Sequence, residues 1–155
     1  MQIDKLTYVV IGAAIKVHRH FGAGFTEEVY KNSLFIELNN MGLKSEKEVN
    51  LDILYDNTPV GYFKADIIVE KKLIIELKAV NQLLPSHELQ LIKYLSASGI
   101  GDGLLLNFGT KLLQIKRKFR PNRTQANPKQ ILNKMITDGI IVPEGQNKNR
   151  TYKLK

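Results

Sequence analysis

The segment from Tyr62 to Val80 constrains this chain more than any other. Apolar and polar residues alternate through much of it, on either side of the polar triplet Glu70-Lys71-Lys72. Alternation with a period of two marks strands, and a short polar link between two such runs marks a hairpin. A three-residue link at 70–72 pairs each position i with position 142 − i across the hairpin. Phe63, Ala65, Ile67 and Val69 then oppose Ala79, Leu77, Ile75 and Leu73, which makes one face wholly apolar. On the other face Ile68 meets Ile74, Asp66 meets Glu76, and Lys64 meets Lys78. A slip of one residue would mix charges into the apolar face, so the pattern selects this register.

Two carboxylates facing each other across a strand pair stand roughly 5 Å apart at Cβ and repel. A shared divalent cation relieves that repulsion, and oxygen ligands suit Mg²⁺ or Mn²⁺ rather than zinc. The backbone carbonyl of Leu77 offers a further ligand. Lys78 points to the same face as Glu76, where an ammonium can orient an attacking water and stabilise charge developing on a phosphate. The same residues also describe a surface ladder in which Lys64 or Lys78 neutralises Asp66. The hairpin by itself supports both readings.

The surrounding elements follow from periodicity and punctuation. Ile3, Leu6, Val10, Ala13, Ala14, Val17 and Phe21 recur at helical spacing, predicting a helix over 4–20 that Gly22-Ala-Gly24 breaks. Thr26 caps a second helix whose inward stripe is Tyr30, Leu34, Leu38 and Met41. Glu27 falls on that stripe and Glu28 does not. An acid on a core-facing stripe calls for a cation or a partner, although interaction with the helix dipole also accounts for it. A strand at 49–55, a turn at Asp56-Asn57-Thr58-Pro59, and strands at 60–69 and 73–80 come next. A helix over 87–98, an apolar strand over 103–108 and a strand over 112–119 complete the order ααβββαββ. Gln90 and Tyr94 share one helix face at i, i+4 spacing with His87 a turn earlier. That face serves either a site or ordinary hydrogen bonding to the sheet or water.

Composition excludes several alternatives. There is no cysteine, hence no thiolate nucleophile, disulfide or Cys-containing zinc site, and three histidines make a poor all-His metal centre. At 43% hydrophobic and 25% charged, 155 residues suit an ordinary globular fold of about one domain. The most apolar run, Tyr8–Ile15, is too short for a membrane span, and Asp4 beside Lys5 does not resemble a secretory start. The expectation is a cytoplasmic protein with no membrane partner. The net charge of +8 is unevenly placed. Residues 1–115 hold 12 Lys and Arg against 13 Asp and Glu, whereas residues 116–155 hold 11 against 2. A nearly neutral body thus carries a basic end, which points to a polyanion such as nucleic acid.

Gly24-x-x-Glu27-x-x-Tyr30, Asp66, Glu76-x-Lys78 and Gln90-x-x-x-Tyr94 together resemble the bacterial and archaeal GxxExxY family, assigned to the PD-(D/E)XK nuclease superfamily. The resemblance spans about residues 4–119 and takes in His18, Gly22, Gly61, Glu76–Ala79 and Asn107-Phe-Gly109. It implies an α/β fold: a restriction-endonuclease-like αβββαβ core with a mixed central sheet between helices. It implies Asp66 and Glu76 as metal ligands, Glu27 as the helix-borne acid completing the site, and Lys78 as the catalytic lysine. Gln90 and Tyr94 fall where exonuclease-like members carry a motif that positions the active site or the nucleic-acid backbone. Ala65 stands where the superfamily's name has proline.

Beyond a body at 1–120, residues 121–155 form a basic extension. Lys116, Arg117, Lys118 and Arg120 leave the last strand as a cluster of cations. Pro121–Pro128 reads as a linker, Lys129–Gly139 as a short helix, and Ile140–Val142 and Thr151–Leu154 as a hairpin. This order resembles the latter half of a winged-helix module, with Lys148 and Arg150 on the wing. A complete module needs two more helices, for which the linker has no room, so a helix and hairpin docked on the body, or on a second subunit of a homodimer, is the preferred reading. Either way these cations are candidate phosphate contacts. The expectation is a Mg²⁺- or Mn²⁺-dependent nuclease acting on nucleic acid, DNA before RNA. The competing expectation is a nucleic-acid-binding or assembly module with an idle nuclease-like site. Neither a glycine-rich phosphate loop nor a Ser-His-Asp pattern supports a small-molecule enzyme.

Overall fold

A computed structural model describes residues 1–121, 133, 136–139, 141–144 and 151–154. The chain divides into two compact units, Met1–Pro121 and Asn122–Lys155.

The first unit runs α1 (Ile3–Phe21), α2 (Glu27–Asn40), β1 (Ser45–Tyr55), β2 (Thr58–Val69), β3 (Leu73–Lys78), α3 (Pro85–Ser98), β4 (Asp102–Asn107) and β5 (Gln114–Phe119). The five strands form one sheet in the order β1-β2-β3-β4-β5. Neighbours are antiparallel except β3 and β4, which are parallel and joined through α3. This is a mixed α/β sheet flanked by helices, in the expected element order.

Each face of the sheet has its own core. Leu6, Val10 and Ala14 of α1 and Tyr30, Leu34 and Leu38 of α2 pack with Ile67, Ile75, Leu77, Leu106 and Phe108. Leu91, Tyr94 and Leu95 of α3 pack with Ala65, Ile68, Ile74 and Leu105. β3 and β4 are therefore covered on both sides, which is why they read as nearly continuous apolar runs. No helix among the described residues is long and apolar enough to cross a membrane.

The structure corrects several local expectations. α2 ends at Asn40, so Met41 lies beyond the inward stripe and is 48% exposed. Only Asp56 and Asn57 form the β1–β2 turn, both with positive φ (47° and 58°) as a tight two-residue hairpin demands; Thr58 and Pro59 already belong to β2.

The hairpin register holds at Val69–Leu73, Ile68–Ile74 and Ile67–Ile75, and the ladder then stops. Asp66 and Glu76 are not ladder partners, nor are the expected pairs 65–77, 64–78 and 63–79. β3 stays paired with β4 as far as Lys78–Asn107, while β2 follows β1. Two strands committed to different neighbours in a twisted sheet must part. The face expected to be wholly apolar also divides. Ile67 and Val69 lie with α1 and α2, whereas Phe63 and Ala65 lie with α3.

In the second unit, β6 (Ile141–Glu144) pairs antiparallel with β7 (Thr151–Leu154). Asn133, Ile136 and Thr137 are helical, and Gly139 (φ 69°) returns its N–H to the Ile136 carbonyl. Most of the expected linker and tail helix, together with Lys148 and Arg150, lies outside the described residues.

Candidate active site

The end of the β2–β3 ladder at Ile67–Ile75 leaves a notch in the strand pairing, and Asp66 and Glu76 lie at it within electrostatic reach of Glu27. Asp66 is buried at the point of separation. Its Oδ2 accepts a hydrogen bond from the Leu77 N–H at 2.8 Å, so a side chain takes an amide that has no partner across the open ladder. Leu77 thus enters the site through its amide, while its side chain is in the core.

Glu76, one residue earlier on β3, is only 3% exposed, and its Oε2 has no hydrogen-bond partner. Burial pushes its carboxyl up to about 9, with the charge of Asp66 and a hydrogen bond shared with Asp66 adding in the same direction. The nearby Lys78 ammonium acts against this shift but does not cancel it.

Glu27 reaches the same field from α2. It is half-buried, and burial followed by the charge of Asp66 raises its carboxyl above the ordinary range; Lys78 and Lys31 oppose the rise. The local fold explains how Glu27 gets there. Gly22 and Gly24 adopt positive φ (67° and 107°), turning the chain sharply between α1 and α2. The buried Tyr30 fixes that turn. Its hydroxyl donates to the Gly22 carbonyl and accepts from the Phe25 N–H, and its ring stacks on Phe108 at 4.6 Å. Gly24, Glu27 and Tyr30 therefore act as one device: a turn, its clamp, and the acid they aim.

On the α3 side, Gln90 Nε2 donates to the Tyr94 hydroxyl at 2.8 Å, and Tyr94 packs against Phe63 at 5.0 Å. Burial, then the charge of Glu76, raises the Tyr94 phenol, which places it in the field of the acids. His87 does not join this face. Its Nδ1 accepts from the Leu84 N–H at 3.0 Å and closes the start of α3.

Asn107, completely buried, secures the end of β3. It bonds the Val80 N–H and carbonyl at 3.0 and 2.9 Å and the Gln114 side chain at 2.8 Å. The Phe108 N–H donates to the Lys78 carbonyl. Gly109 lies so close to Val80 that a Cβ there would meet its backbone at 2.4 Å. Asn107, Phe108 and Gly109 thus hold the chain that carries Glu76 and Lys78.

Sequence reasoning missed Lys31. It is 7% exposed, and its Nζ lies 3.0 Å from Glu28, 3.2 Å from Glu48 and 3.8 Å from Asp66. The only available signal was its place one turn after Glu27.

The expected phosphate contacts are differently placed. On β5, Lys116 and Lys118 both pair with Glu88 of α3, at 3.5 and 2.9 Å. Arg117 points the other way, to Asp102 at 2.7 Å and Asp4 at 2.8 Å. Arg120 is exposed just beyond the strand.

The donors fit a hard divalent cation in kind: carboxylates from Glu27, Asp66 and Glu76, including one buried oxygen that nothing satisfies. Among the described residues, no three acidic or histidine side chains yet stand close enough together to hold one. The acids share an electrostatic neighbourhood without forming a closed ligand cage.

Comparison with known proteins identifies the family of the chain. No curated protein matches the sequence. Among solved structures, the crystal structure of SSO0001 aligns with 20% identity and a TM-score of 0.47, covering 72% of this chain and 55% of that one. An alkaline exonuclease (LHK-Exo) from Laribacter hongkongensis aligns with 12% identity and a TM-score of 0.45, covering 72% of this chain and 61% of that one. LHK-Exo in complex with dAMP aligns with 12% identity and a TM-score of 0.43, over 81% and 82% of the two chains. The chain thus spans little more than half the length of the first two. The sequence itself matches the PD-(D/E)XK nuclease superfamily over residues 4–119, which takes in every element of the first unit and all the acids described above. The chain belongs to the PD-(D/E)XK nuclease superfamily.

Proposed function

We propose that this protein is a divalent-metal-dependent nuclease that hydrolyses phosphodiester bonds of nucleic acid, DNA in preference to RNA, and that it is of the GxxExxY type. The observation that carries the reading is the buried Glu76 carboxyl, whose Oε2 lacks any partner, lying against Asp66 in the notch between β2 and β3. A native fold rarely leaves such an oxygen unsatisfied without a purpose. In this reading Glu27, Asp66 and Glu76 hold Mg²⁺ or Mn²⁺, with the Leu77 carbonyl as a further candidate ligand. The ion, when bound, supplies Lewis-acid stabilisation of charge on the phosphate and favours a hydroxide-like nucleophile.

The chain's own groups have separate tasks. Lys78 presents its ammonium beside Glu76 and Glu27, where it orients the attacking water and stabilises charge developing on the phosphate. The Leu77 N–H fixes the aim of Asp66. Tyr94, held by Gln90, packs with Phe63 and lines the α3 side, where it positions the acids or the nucleic-acid backbone. Lys116, Lys118 and Arg120, with Arg117 and the tail cations Lys148 and Arg150, are the proposed phosphate contacts outside the notch. The division into a body at 1–120 and a basic extension at 121–155 belongs to the same proposal.

One observation favours a second reading, an idle nucleic-acid-binding or assembly module that works as a homodimer. Asp66 and Glu76 share a hydrogen bond that leaves them a compatible pair without any cation. Incubation with linear, nicked and single-stranded DNA and with RNA, plus Mg²⁺ or Mn²⁺, separates the two. Hydrolysis lost in Glu76→Ala and Lys78→Ala supports the nuclease; activity indifferent to both substitutions removes the mechanism. Metal-independent DNA binding without hydrolysis supports the idle module.

A further inference from the structure

Lys31 is a buried cation shared by three carboxylates. It stands on α2 one turn after Glu27, with Glu28 and Glu48 on its outer side and Asp66 on its inner side. The approach of Glu48 has a backbone cost. Glu48 has φ 56°, a left-handed conformation that is unfavourable for a non-glycine residue.

Its effect is specific. Consecutive strand residues ordinarily point to opposite faces. Here Lys47 and Glu48 both reach α2: Lys47 bonds Asn32 and lies over the Phe35 ring, and Glu48 bonds Lys31. Without the positive φ, one of the two would turn away. Strain is thus retained at the position that brings a second acid to Lys31.

We infer that Lys31 is a built-in counter-ion that competes with the metal for Asp66, and that Glu28 and Glu48 set the balance by drawing it outward. The inference rests on the metal-dependent reading above and deepens it by assigning a regulator of metal affinity. Three features support competition over simple support. Lys31 is farther from Asp66 than from either outer acid, so the inner contact is the one most easily given up. Its ammonium sits on a flexible four-carbon stem and can retreat without moving α2. Asp66 does not need Lys31 for its aim, because its other oxygen is held by the Leu77 N–H. Lys31 is a positioning residue in this account, acting through Asp66 and not on substrate.

The test is a Mn²⁺ titration by calorimetry of the full chain, with thermal melts of each variant to verify folding. Lys31→Met removes a repelling charge and is expected to bind Mn²⁺ about tenfold more tightly. Glu48→Gln releases Lys31 toward Asp66 and is expected to bind several-fold more weakly. In the double variant the Glu48→Gln effect should shrink sharply, because the lysine it controls is gone. Lys31→Arg, which keeps the charge and folds with the least disturbance, should bind no more tightly than wild type. A merely structural role predicts weaker binding in Lys31→Met, with additive losses in the double variant. Wild-type binding with unchanged or weaker affinity in Lys31→Met overturns this inference alone. Failure of the wild type to bind Mn²⁺ overturns the inference together with the nuclease reading beneath it.

Discussion

Charge is handled in opposite ways at two places on this sheet. On the β5 edge, Lys116, Arg117 and Lys118 are at least partly exposed, and each finds an acid: Glu88, or Asp4 and Asp102. In the notch between β2 and β3, acids are buried against one another, and one carboxylate oxygen has no partner at all. Surface pairs of the first kind contribute little to stability and are easily exchanged for a phosphate. A cluster of the second kind is costly to maintain, which makes it the candidate functional site of the chain. The total charge of the chain therefore says little by itself. The burial and partners of each group decide what it does.

The largest expected effect separates the two places by chemistry. Glu76→Ala and Lys78→Ala should each lower hydrolysis by roughly 10²–10³ or more, a scale typical of a lost electrostatic stabiliser. Lys116→Ala in the same assay should leave the maximal rate near wild type and change only the nucleic-acid concentration needed.

A second expectation concerns pH. The Glu76 carboxyl rises to about 9 in the fold, so the fold favours its protonated form. Its contribution to stability is full below the ordinary glutamate value, near 4.5, and is lost as pH climbs toward 9. Glu27 shifts in the same direction. Metal-free protein melted in chelator should therefore lose on the order of a few kcal/mol between pH 5 and 9. Glu76→Gln should flatten most of that slope; an equally steep slope in the variant would place the titration elsewhere.

A smaller effect tests the frame around the notch. Gly109→Ala forces a Cβ to within 2.4 Å of the Val80 backbone. It should cost about 1–3 kcal/mol of stability, read as a lowered denaturation midpoint, and reduce activity through Lys78. An unaltered midpoint would show that the end of β3 is not held as described.

The smallest stability effect belongs to the basic edge. Lys116→Ala with Lys118→Ala should change stability by less than about 1 kcal/mol. If these residues contact phosphates, the same pair should reduce the salt dependence of DNA binding by about two units of slope, measured by fluorescence anisotropy across salt concentrations. Unchanged salt dependence would move the phosphate contacts to other cations.

Much of this organisation was legible in the sequence. Helical and strand periodicity carried the element order, because each helix buries one stripe and β1 alternates between more and less buried residues along much of its length, while β2 passes from an exposed first half to a last five residues buried on both faces. Glu27 was legible because an acid interrupted an apolar stripe. The opening of the hairpin was not. Local alternation pairs Asp66 with Glu76, whereas the commitment of β3 to β4 is a parallel, long-range pairing that no short window contains. The same limit hid the division of Phe63 and Ala65 from Ile67 and Val69. His87 sat at the right spacing for the site but satisfies the start of its own helix instead. Lys31 was not legible, because the acids that surround it come from β1 and β2 as well as from its own helix.

The central claim is that the buried acids of the notch form a metal site. Calorimetric titration of Mn²⁺ into metal-free protein at neutral pH, repeated in two buffers of different ionisation enthalpy, tests it most directly. The account predicts one saturable site whose filling releases protons, because Glu76 is protonated before the ion arrives, and it predicts that Glu76→Gln loses both the affinity and the proton release. No binding by the wild type, or binding that Glu76→Gln leaves unchanged, would contradict it.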